Sequence, residues 1–197
     1  MNTENEGVPA MKLMKLRIAT GLGLALFMAT IILATAVMAG EAQVVILDQC
    51  DPNTFNAVLG NVAAGNIECV RVGPGRTVAA YASFLPAGDP LWDFYPDMLK
   101  IHEGDKVIAT NEGGEVHTFT QVAAFGNGFI PGANNPTGAT NTIPECQGGF
   151  LNPDNHVAAT RVVHGANIVV TGLTPGKHLF ECCIHPWMRM EIDVGDQ

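Results

Sequence analysis

Short apolar runs with a period of two, separated by turn-forming residues, dominate the chain after its first forty residues. Gln43 to Asp48 (QVVILD) is a β-branched run of strand character, and Asp51 to Leu59 reads as a turn followed by a brief helix. Trp92, Phe94, Pro96 and Met98 recur at every second position, as a half-buried extended segment requires. Further strands are predicted over Lys106 to Asn111, Val116 to Val122, Ala166 to Thr171, Lys177 to Cys182 and Met190 to Val194. Gly104-Asp105, Gly113-Gly114 and Thr174-Pro175-Gly176-Lys177 supply turn chemistry between them. Short strands at regular spacing with little helix predict an all-β sandwich. Ala123 to Asn155 breaks the pattern, being rich in Gly, Asn, Pro and Thr. It is expected either as a long surface excursion or as one that hides a short helix.

The amino end has a different character. Lys12, Lys15 and Arg17 precede an apolar run from Ile18 to Met38, followed by small residues at Ala39, Gly40 and Ala42. Residues 1–39 therefore read as a signal peptide, with an N-terminal membrane anchor through residues 18–38 as the alternative. The remaining domain, 43–197, is long enough for one core and leaves little room for a second.

From Gly40 onward seven Lys and Arg face seventeen Asp and Glu, a balance of −10. Such a surface makes nucleic acid an unlikely partner.

The segment Phe180-Glu-Cys-Cys-Ile-His-Pro-Trp-Met-Arg-Met190 carries the chemistry, because it spaces Cys182, His185 and Met188 three residues apart. Thiolate, imidazole and thioether form a soft donor set that favours copper over calcium or magnesium. Strand alternation over Lys177 to Cys182 puts His178, Phe180 and Cys182 on one face, with Glu181 and Cys183 on the other. A charged Glu181 should face water, so Phe180 and Cys182 face the core and Cys182 becomes the ligand thiol. A second imidazole is needed, and His117 in Asn111-Glu-Gly-Gly-Glu-Val-His-Thr-Phe-Thr120 shares the inward parity of Phe119. His102, His156, His164 and His178 read as structural or solvated. Two histidines, one cysteine and a weak axial methionine make a blue-copper ligand set.

These residues carry a family resemblance. Leu99 to Asn111, the following Gly114-Glu-Val-His117, and the closing Cys182-x-x-His185-x-x-Met188 resemble a cupredoxin of the plastocyanin and amicyanin group, with the short ligand loop of amicyanin. The resemblance spans roughly Met98 to the carboxyl end. It implies a cupredoxin-like Greek-key β-sandwich with a long irregular insertion and one or two short helices. It also implies one type 1 copper ion with His117, Cys182 and His185 equatorial and Met188 axial, and an electron port where the edge of His185 reaches the surface amid Pro186 and Trp187. Small cupredoxins often carry Asn directly after the first ligand His to steady the ligand loop; Thr118 stands there instead, with a hydroxyl able to substitute.

Export implies an oxidising compartment, so the four cysteines other than Cys182 are expected as two disulfides. Of the three possible pairings, Cys50 with Cys69 is expected because the two flank a segment of modest length, which leaves Cys146 with Cys183. The functional expectation is a type 1 copper protein that is not an enzyme, transferring single electrons between transient redox donor and acceptor proteins in the periplasm or at an extracytoplasmic membrane surface. A copper carrier or storage protein is the alternative. The sequence offers neither the extra paired-histidine motifs of a nitrite reductase or multicopper oxidase nor a Cys-x-x-Cys-His haem site.

Overall fold

A computed structural model describes residues 39–59, 68–151 and 156–196. The expected leader, residues 1–39, lies outside these apart from Ala39. Among the described residues no helix is long and apolar enough to cross a membrane.

Two mixed four-stranded sheets form a mostly-β sandwich. In the first, β1 (Glu41–Leu47) pairs antiparallel with β2 (Asp93–Tyr95) and parallel with β4 (Lys106–Asn111), which pairs antiparallel with β8 (Asn167–Val170). In the second, β10 (Arg189–Gly195) lies parallel to β3 (Met98–His102) and antiparallel to β9 (Gly176–Glu181), which pairs with β6 (Thr120–Val122). A short ladder joins β5 (His117–Thr118) to β7 (Arg161–Val162). Alternation explains the layering: β4 buries Val107, Ala109 and Asn111, and β10 buries Met190, Ile192 and Val194. Phe119 fills the interior, stacked on Phe180 at 4.5 Å and edge-on to Phe94 at 5.3 Å. Such pairs each add about 0.5–1.5 kcal/mol beyond their buried area.

Four differences from the sequence reading matter for the site. The segment from Trp92 is broken into β2 and β3, with a cis Tyr95-Pro96 bond between them. Val116 to Val122 is also two strands, because the chain leaves the β7 ladder at Phe119 and joins the second sheet. Among the described residues there are three α-helices rather than one or two: α1 (Pro52–Leu59), α2 (Val78–Phe84) and α3 (His156–Ala159). Helix α2 was hidden among Gly- and Pro-containing stretches; Thr77 caps it, its hydroxyl accepting from Ala80 N at 3.3 Å.

Glu181 is the fourth difference. It does not face water but is fully buried, and its carboxylate accepts hydrogen bonds from Gly126 N at 3.0 Å and Arg189 Nε at 3.1 Å. The described part of the insertion covers that face with four short 3₁₀ turns, Pro131–Ala133, Asn135–Thr137, Pro144–Cys146 and Gly149–Leu151. Periodicity alone cannot show that a strand's outer face is roofed by a distant loop.

Candidate metal centre

The first part of the site is a turn that Asn111 holds in shape. This buried residue ends β4; its amide donates to Glu115 O at 2.7 Å and Val162 O at 2.9 Å, while its carbonyl accepts from Gly113 N at 2.9 Å. The turn delivers His117 to β5 with its ring fully buried. The second part is the connection from β9 to β10. Cys182 N donates to Met188 O at 3.1 Å and Met188 N to His185 O at 2.9 Å, which winds three of the predicted ligands into one tight loop.

The structure brings three donor atoms together. Cys182 Sγ lies 3.7 Å from His117 Nδ1 and 4.0 Å from His185 Nδ1, and the two ring nitrogens are 3.4 Å apart. All three residues are buried, and among the described residues they form the one such cluster able to hold a metal. With metal–nitrogen and metal–sulfur bonds of about 2.0 and 2.3 Å, a trigonal site would have donor separations of about 3.5–3.8 Å. The observed triangle fits a single ion. Met188 lies in the same loop, 0 % exposed and packed in the core cluster that contains Cys182.

Thr118 braces the loop from below: its hydroxyl accepts from Cys183 N at 2.8 Å, and its own N–H points to Cys182 Sγ at 3.5 Å. Cys183 is bonded to Cys146, which ties the loop to the insertion, and Cys50 is bonded to Cys69; Cys182 is left as a free thiol. His102, His156 and His164 are exposed, and His178 sits at the surface between Gln121 and Thr174.

Charge prepares the thiol. Burial alone would push Cys182 up, but hydrogen bonds and charge from His117 and His185 draw it well below its ordinary value, favouring the ligating thiolate. Burial likewise opposes protonation of His117, yet Asp48 and Cys182 together raise it to about 10. Burial raises Glu115 and the Tyr81 hydroxyl, the latter with help from the charges of Glu115 and Cys182.

The expected exposure of the His185 edge is not seen. His185 is only 3 % exposed and Pro186 is buried, so the imidazole edge does not reach the surface. Helix α2 and the turn after it close over it: the rings of Trp187, Tyr81 and Trp92 stand 5.4, 6.2 and 6.4 Å from the His185 ring. Trp187 is half-buried, and its Nε1 donates to Asp89 O at 3.2 Å. Gly88, at φ +82°, permits this packing, since a Cβ there would overlap the Trp187 ring.

Sequence reading missed Asp48, Glu115 and Tyr81. Glu115 carried a signal, sharing strand parity with His117. Asp48 carried none, because its place follows from the parallel β1–β4 register that sets Ile46 against Asn111.

No protein-family model matches the chain, and no curated protein does. Among solved structures it is similar to a purple cupredoxin from Nitrosopumilus maritimus, at 14 % identity and a TM-score of 0.41 over 78 % of this chain and 99 % of that one. A reduced amicyanin variant aligns at 18 % identity and a TM-score of 0.32, over 52 % of this chain and 72 % of that one. A Cu-containing nitrite reductase from Thermus scotoductus aligns at 22 % identity and a TM-score of 0.33, over 53 % of this chain but only 20 % of that one.

Proposed function

We propose that the chain is a type 1 copper protein that passes single electrons between redox proteins outside the cytoplasm, with His117, Cys182 and His185 as equatorial ligands of one copper ion and Met188 as the axial one. The observation that carries this reading is the buried triangle of two Nδ1 atoms and one Sγ, 3.4 to 4.0 Å on a side. Its donors are soft, and its shape is trigonal, the combination that suits copper. Bound copper supplies a one-electron couple; the chain supplies a fixed frame. Thr118, the Cys146–Cys183 bond and the hydrogen bonds inside the loop hold the donors in place, which limits rearrangement as charge changes. Tyr81, Trp92 and Trp187 exclude water and substrate from His185, an enclosure that supports electron passage over turnover at the metal.

Electrons then enter or leave through the half-buried Trp187, beside Pro186, where a redox partner docks weakly, as brief electron-transfer encounters do. The two disulfides support an oxidising, extracytoplasmic setting. A copper carrier would use the same ligands, but an exchanging site needs access that the burial of His185 and Met188 does not offer. The test is a visible spectrum of the oxidised, copper-loaded protein beside its Cys182→Ser variant. An intense thiolate-to-copper band is expected in the first and not the second; its survival in Cys182→Ser would overturn the assignment. Retention of the metal against a mild chelator separates the electron carrier from the copper carrier, which would surrender it.

A further inference from the structure

Each imidazole of the proposed centre turns its far nitrogen toward a buried carboxylate. His117 Nε2 lies 2.8 Å from Asp48 Oδ2, with both side chains fully enclosed. His185 Nε2 lies 3.7 Å from Glu115 Oε2, an oxygen that also accepts the Trp92 indole N–H at 2.7 Å. Asp48 is held on all sides. Its Oδ2 accepts from Glu115 N at 2.9 Å and its Oδ1 from Cys50 N at 3.1 Å, next to the Cys50–Cys69 bond. Gly113 makes room for it, because a Cβ there would overlap Asp48 Oδ2. A carboxylate that accepts from two backbone N–H groups suits the ionised form, and opposite an ionised acceptor the His117 ring must donate.

We infer that Asp48 is a positioning residue of the centre: it fixes the Nε2–H form of His117 so that Nδ1 faces Cys182, and its charge behind that ring lowers the reduction potential. This rests on the copper reading above. A backbone carbonyl or an Asn could fix the tautomer without charge; a buried carboxylate is costly, and here the hydrogen bonds with Glu115 N, Cys50 N and the His117 ring offset that cost and keep the charge beside the ligand. Behind a ligand that charge favours the more oxidised metal, and it is little screened at this depth.

The test compares the copper-loaded full chain with Asp48→Asn and Asp48→Ala, reading the potential by redox titration of the visible band. Asn preserves size and an acceptor, so the expected result is an intact band with a raised potential; Ala should raise the potential and also alter the band. An intact band with an unchanged potential in Asp48→Asn would overturn the role of Asp48 while leaving the copper reading standing. Absence of the band in the wild type would overturn the copper reading itself. Should the variants not fold, histidine NMR of the zinc-loaded wild type tests the contact itself: the His117 Nε2 proton is expected far downfield and slow to exchange, as a hydrogen bond to a carboxylate makes it, and a freely exchanging proton would contradict the inference.

Discussion

Thr118 shows how a single hydroxyl serves a metal loop. It accepts from the buried Cys183 amide at 2.8 Å and receives the Thr120 hydroxyl at 3.0 Å. Valine has the same shape without the acceptor, so Thr118→Val leaves a buried N–H unsatisfied at a cost of about 1–3 kcal/mol. Chemical denaturation of the metal-free protein should show that loss, Thr118→Ser should recover most of it, and a Val variant as stable as the wild type would refute the brace. The neighbouring sulfurs illustrate what alternation can and cannot tell. Parity separates Cys182 from Cys183, and the structure does send them to opposite sides, one into the donor triangle and one into a disulfide. The premise behind the choice fails, because Glu181 is buried against Gly126 and Arg189 rather than solvated. Opposite faces are a local property, legible in the sequence; what covers each face is not.

At the level of elements, the site depends on strands meeting across the chain. Asp105, in the turn between β3 and β4, illustrates this: it accepts from His102 N at 2.9 Å and from Gly40 N at 2.6 Å, fastening the start of β1 where it begins to pair with β4. Those backbone hydrogen bonds hold its carboxyl below the ordinary carboxylate value. A folded value below the unfolded one adds stability above the unfolded value of about 4, and that addition is lost as the pH falls through the folded value. The urea midpoint of the wild type should therefore drop more steeply below about pH 4 than that of Asp105→Asn. Parallel slopes would show that the bonds contribute nothing. Strands β1, β4, β8, β9 and β10 were legible because their alternation is local and their turns carry Gly, Pro or Asp. Helix α2 was not, since its reason for existing is tertiary: Tyr81 packs on Trp92 at 4.9 Å and helps close over His185.

Across the described domain, the sandwich supplies rigidity and the additions supply enclosure. The sheets bring His117 and Cys182 together from 65 residues apart. The insertion roofs the outer face of the ligand loop through Cys146, and α2 with Trp187 closes the His185 side. The result is a buried soft-donor triangle enclosed by the insertion on one side and by aromatic rings on the other. Anomalous diffraction at the copper edge, from a crystal of the copper-loaded protein, tests that account most directly. One peak bonded to His117 Nδ1, His185 Nδ1 and Cys182 Sγ, with Met188 Sδ beyond the triangle, is the predicted result. A peak lying elsewhere, or bonded to only one of the two imidazoles, would contradict it.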